Sequence, residues 1–246
     1  MPPACTLVLV PGLVNTGAVW RHQQATLAAL LPVAVAEHTG ASTLPDMARS
    51  LLERFPGPLA LAGHSMGGRI ALEACRLAPG RIRGLALLDT GCQPLAAGEA
   101  GELEVRKRRA LVAIAREHGM PTMLAQWIVD MLAPQHMGDG ALVGQIVAMM
   151  AQSSAAEFER QVEALIHRPD ASDVLASIAV PTLVLCGRED RWSGPPQHIA
   201  MAKLAPTSEL VIVPDCGHMA PLECPAAVTQ ALRDWLGRAL RSGVEG

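Results

Sequence analysis

The stretch PLALAGHSMGGRIALEAC, residues 58–75, changes its period in the middle. Residues 58–63 form a continuous apolar run that reads as a buried strand, whereas the spacing from Arg69 to Leu77 is helical. Between them stand the polar pair His64 and Ser65, hemmed in by Gly63, Gly67 and Gly68. A strand that passes into a helix with no linker needs a tight, strained turn, and glycines relieve the crowding where the two backbones meet. Gly63-His64-Ser65-Met66-Gly67 is G-x-S-x-G in strand–turn–helix context, the setting in which a serine hydroxyl is pushed clear of the backbone as a nucleophile.

Working outward, the same alternation recurs. TLVLV (6–10), VAVAEH (33–38), IRGLALLDT (82–90), PTLVLCGRED (181–190) and SELVIVPDCGH (208–218) read as further strands. Helical spacing runs over about 18–31 and 226–240, and Asp46 reads as the cap of a helix carrying Met47, Leu51 and Leu52. Nearly continuous apolar strands separated by helices imply an α/β fold, a mostly parallel sheet flanked by helices on both faces. Between Thr90 and Pro181 the pattern is helical throughout, so an all-helical lid is expected between the fourth and fifth strands. The expected division is a core of residues 1–93 and 171–246 with a helical cap of residues 94–170. Met120, Met123, Trp127, Met131, Met149 and Met150 are candidates for its apolar, deformable underside.

A serine hydroxyl at neutral pH needs a base, and the base needs an acid to hold it. Asp190 and His218 follow the last two strands, so Ser65, Asp190 and His218 all fall at carboxyl ends of parallel strands, where such sheets gather ligands. Asp89, at the end of the fourth strand, is the alternative acid. Asp215 reads as a turn residue, Glu189 as pointing away, Glu223 as a helix-start residue, and His64 as a packing residue. Two backbone N–H groups are expected to face a developing oxyanion: that of Met66 and, from the loop VPGLVNTGAVW after the first strand, that of Leu13. Asn15 in that loop, Trp127 in the lid and Trp192 beyond Asp190 are candidate substrate contacts.

Composition narrows the class. Half of the 246 residues are hydrophobic and 17% are charged, the profile of a well-buried globular chain. A net charge of −3 offers no general attraction to nucleic acid or to an anionic membrane. The only dense basic run, Arg106 to Arg109, follows Glu99, Glu102 and Glu104 in a helical pattern and reads as a solvated face. The N-terminus lacks the look of a signal peptide, and the six scattered cysteines include no C-x-x-C pair. A cytoplasmic protein with no metal and no cofactor is the expectation.

With VPGLVNTGAVW, LAGHSMGGRIALE, PTLVLCGREDRW and CGHMAPLECP in this order, the sequence resembles the α/β-hydrolase superfamily over essentially its whole length. Within it the chain is similar to small bacterial carboxylesterases and enol-lactonases. Pro11-Gly12 stands where many relatives have His-Gly, which keeps the backbone donor and loses a side chain. The resemblance implies the α/β-hydrolase fold and a cofactor-free hydrolase of small, apolar esters, as a monomer or homodimer. It leaves open an enol-lactonase, a carbon–carbon bond hydrolase or a lyase of the menaquinone-biosynthesis type using the same three residues, and a non-catalytic ligand receptor. Arg69, after SMGG, resembles the elbow of that lyase but reads as an ordinary helix residue.

Overall fold

The apolar runs become strands because neither of their faces can be left in water. β1 (Thr6–Val10), β2 (Val33–Val35), β3 (Leu59–His64), β4 (Ile82–Leu88), β5 (Thr182–Gly187) and β6 (Ser208–Val213) pair in the order β2-β1-β3-β4-β5-β6, every pair parallel. The computed structural model describes residues 5–38 and 40–242. Residues 1–4, and 243–246 of the polar tail, lie outside the described residues. β3 and β5 are buried at every position, while β2 and β6, at the two edges, are largely half-exposed.

Parallel neighbours need crossovers, and helices supply them. In chain order these are α1 (Arg21–Leu27), α2 (Leu44–Arg54), α3 (Met66–Leu77), α4 (Glu99–His118), α5 (Met120–Trp127), α6 (Gly140–Met150), α7 (Ala155–Ile166), α8 (Ser172–Ser177), α9 (Pro195–Leu204), α10 (Ala220–Glu223) and α11 (Pro225–Ser242). The expected strand over 33–38 stops at Val35, and the expected helix over 18–31 is a 3-10 turn, Gly17–Trp20, followed by α1. Asp46 is not the cap of α2. That place belongs to Thr43, because Pro45 starts the helix earlier. Thr43 Oγ1 accepts from Asp46 N–H at 3.1 Å and donates to Asp46 Oδ2 at 2.6 Å, a reciprocal cap.

From β1 the chain steps to β2 on one side and then returns to place β3 on the other. The loops leaving β1 and β3 therefore part from each other, and a crevice opens at that switch point. Helices α4 to α8 all lie between β4 and β5. Ala171 N–H donates to Cys92 C=O at 2.9 Å, so the chain leaves and rejoins the sheet layer at one place. Within this insertion the nearly buried Arg168 is clasped by Glu104 at 2.8 and 3.0 Å and by Leu165 C=O at 2.8 Å, fastening the end of α7 to α4. Met120, Met123, Met131, Met149 and Met150 are all buried in the same apolar cluster as the sheet, so they hold the insertion down.

Candidate active site

Ser65 sits at φ 54°, ψ −119°, a left-handed backbone conformation that a side chain strains. The strain is set by how closely β3 and α3 approach. A Cβ on Gly63 would lie 2.3 Å from Gly67 C=O, and one on Gly67 would lie 2.0 Å from the carbonyl oxygen of Val10 on β1. Only glycine fits at either position. Two bonds to the end of β4 fix the turn: Ser65 N–H donates to Leu88 C=O at 2.9 Å, and Thr90 Oγ1 donates to Ser65 C=O at 2.6 Å.

Three side chains from three strand ends meet there. His218 Nε2 lies 2.9 Å from Ser65 Oγ, and His218 Nδ1 lies 2.9 Å from Asp190 Oδ2. Asp190 Oδ1 accepts in turn from Trp192 N–H at 2.9 Å and Ser193 N–H at 3.0 Å. This partner set places the imidazole proton on Nδ1 and leaves the Nε2 lone pair for the serine O–H. Burial works to raise the Asp190 carboxyl, but the His218 charge and hydrogen bond, with the two N–H donors, outweigh it and hold the acid below its ordinary value.

The alternative acid, Asp89, is not brought to the histidine. It is fully buried, at φ 49°, with Oδ1 accepting from Gly187 N–H at 2.9 Å. Burial first, and the Asp190 charge second, raise its carboxyl well above the ordinary value. Glu189 turns to Cys216 N–H at 2.9 Å, and Asp215 occupies a left-handed turn at φ 54°. Buried His64 donates from Nε2 to His218 C=O at 2.7 Å and packs edge-on against Trp20.

The loop after β1 runs alongside the serine. A Cβ on Gly12 would lie 3.0 Å from Ser65 Cβ and 3.1 Å from Asn15 Nδ2. Leu13 and Met66 are buried, and among the described residues neither N–H is given a protein acceptor. Val14, at φ 50°, is braced from the insertion by Gln161 Oε1, which accepts its N–H at 2.8 Å. On the far side, Trp192 stands edge-on to the His218 ring at 4.8 Å, and Trp127 stacks on Trp192 at 5.4 Å and 22°. The structure therefore gathers all eight of the expected site residues, Trp127 being one stacking partner removed from the histidine.

Sequence reading missed Glu223. It ends α10 instead of starting a helix, and its carboxylate is fully enclosed at the foot of the His218 loop. Only its place five residues beyond His218 hinted at this.

Three histidines around this core are held neutral. Burial depresses His64 to about 3 (with the His218 charge second), and His38 and His198 to about 4, from an ordinary 6.5. The folded chain thus binds fewer protons than the unfolded one, so their contribution is complete above pH 6.5 and is lost as pH falls. Asp89 works in the opposite sense. Stability is therefore expected to fall as pH drops from 7 to 5, the three histidines outnumbering the one acid. Urea unfolding midpoints measured at pH 7 and pH 5 should show it.

Comparison with known proteins agrees with this fold. The family model described as "Alpha/beta hydrolase family" matches residues 7–231. The chain is 28% identical over 246 residues to a pimeloyl-[acyl-carrier protein] methyl ester esterase of Photobacterium profundum, covering 94% of each chain. It superposes on a thermophilic esterase from Thermogutta terrifontis with a TM-score of 0.85 and 27% identity, covering 97% of this chain and 92% of that one. It is also 28% identical over 184 residues to the dihydrolipoyllysine-residue acetyltransferase component of the acetoin cleaving system of Pseudomonas putida, covering 72% of this chain but only 45% of that protein. The chain spans less than half the length of the first curated relatives it matches. No helix among the described residues is long and apolar enough to cross a membrane. The sheet order, the strained serine after β3 and the match over residues 7–231 together identify the chain as a member of the alpha/beta hydrolase family.

Proposed function

We propose that this protein hydrolyses small carboxylic esters through an acyl-enzyme on Ser65, without a cofactor. The observation that carries the reading is the unbroken chain Ser65 Oγ, His218 Nε2, His218 Nδ1, Asp190 Oδ2, with 2.9 Å at each hydrogen bond. Ser65 Oγ attacks the acyl carbon and its proton passes to His218 Nε2, which then delivers it to the leaving alkoxide. Asp190 keeps the imidazole in the productive tautomer and balances the imidazolium. A water activated by His218 attacks the acyl-enzyme and releases the acid. The N–H groups of Leu13 and Met66 hold the oxyanion, each donor being worth about 3 kcal/mol in the transition state. Residues 94–170 act as a cap, with Trp127 and Trp192 as the apolar wall beside His218 and Asn15 as a polar contact. The esterases among the similar proteins support this substrate class.

The test is the intact mass of the protein after brief exposure to a fluorophosphonate, wild type against Ser65→Ala. One adduct on the wild type alone is the expected result. A folded wild type that takes up none would sink the reading.

A further inference from the structure

We propose that Glu223 is a positioning residue of the reaction: its carboxylate holds the peptide units on both sides of His218 and ties them to segment 131–136 of the helical insertion. The inference rests on the reading of Ser65 and His218 given above. Glu223 touches neither the serine nor the imidazole. Its Oε2 accepts from Gly217 N–H at 3.1 Å, from Ala133 N–H at 2.8 Å and from His136 Nδ1 at 3.0 Å, and its Oε1 accepts from Met219 N–H at 2.9 Å. The residues immediately before and after His218 are thus hung on one enclosed carboxylate.

His218 itself is held from the same directions. Its N–H donates to Met131 C=O at 2.7 Å, and its C=O accepts from His64 Nε2 at 2.7 Å. The contact with the insertion is backbone on backbone. A Cβ on Gly217 would lie 2.5 Å from Ala133 N and 2.7 Å from Met131 C=O. An enclosed carboxylate accepting four N–H groups is a stiff anchor, because ionised acceptors make the shorter and stronger hydrogen bonds. The loop it holds carries the one ring that must reach Ser65 and Asp190 together. A displacement of about 1 Å in such a group costs about 100-fold in rate. Segment 131–136 is therefore part of the platform of the base, and any opening of the cap must pivot outside it.

The test uses Glu223→Gln and His136→Ala in the whole protein. Glutamine offers one oxygen where the carboxylate offers two, and turns an NH2 toward N–H donors. Glu223→Gln is expected to lower kcat about 100-fold with KM unchanged, and to slow fluorophosphonate labelling of Ser65 in the same proportion. His136→Ala removes one bond from a quarter-exposed ring and leaves the Gly217 and Ala133 donors in place. It is expected to lower kcat by a smaller factor, again without moving KM, to be rescued by His136→Gln, and to add nothing in the Glu223→Gln background. A folded Glu223→Gln protein labelled at the wild-type rate overturns the proposal, as does a loss that falls on KM. Should Glu223→Gln fail to fold, His136→Ala decides, and an unchanged labelling rate there overturns the proposal. Absence of labelling in the wild type would instead mark failure of the hydrolase reading itself, and the proposal would fall with it.

Discussion

Ser65→Ala is expected to unfold at the wild-type temperature and to hydrolyse a short p-nitrophenyl ester about a millionfold more slowly than the wild type. The substitution removes one hydroxyl whose side-chain partner is His218 Nε2, and retains the Cβ, so the left-handed turn and its bonds to Leu88 and Thr90 stay as they are. Alanine is the right replacement because glycine would relieve the backbone strain at φ 54° and confuse a change in stability with a change in chemistry. The residual rate should reflect the Leu13 and Met66 donors and substrate positioning alone. A variant that keeps a hundredth of the wild-type rate would mean that His218 activates water directly and that Ser65 is not the nucleophile. Stopped-flow measurement of the p-nitrophenol burst separates the two, since only an acyl-enzyme produces a burst.

The second large effect is expected from Asp190→Asn, which should lower kcat about 10^4-fold while the fold is retained. Asp190 Oδ1 is already committed to the N–H groups of Trp192 and Ser193. In the asparagine variant the amide oxygen must stay with those two donors, so the NH2 is turned toward His218 Nδ1. That nitrogen must then accept, the ring proton moves to Nε2, and Nε2 can no longer take the proton of Ser65. The loss should fall on kcat with little change in KM, because the carboxylate faces the imidazole and not the crevice. Asp89→Asn provides the contrast. Its carboxylate is turned to Gly187 N–H and not to His218, and its Oδ1 bond to that N–H survives in the amide, so kcat should stay near the wild-type value. A large loss in Asp89→Asn and none in Asp190→Asn would exchange their roles.

How far the sequence could be read depends on which contacts are local. The strand at 59–64, the elbow and the start of α3 were legible because period, glycine spacing and serine all lie within one short stretch. The central strands were legible for a related reason: strands buried on both faces must be apolar at every position. The edge strand β2 was overextended to 38, because a half-exposed strand carries a weaker pattern and the polar Glu37 and His38 do not mark where pairing stops. Asp46 reads as the cap from sequence because Thr43 and Asp46 are both capping types three residues apart, and the choice between them turns on where Pro45 starts the helix.

By itself the sequence determined the order of strands and helices, the strained serine and the three strand ends that carry Ser65, Asp190 and His218, since each is written in local period and spacing. That His218 meets Asp190 and not Asp89 was decided by the tertiary structure, because Asp190 reaches the His218 ring and two N–H donors while Asp89 is fully buried and accepts from Gly187 N–H. The same is true of Glu223, His64 and the Met131–His136 segment around His218. Their partners across the fold lie 87 to 154 residues away in the chain where the insertion and the elbow meet that loop, and no spacing rule along a sequence encodes a contact that exists only once the sheet has brought its ends together.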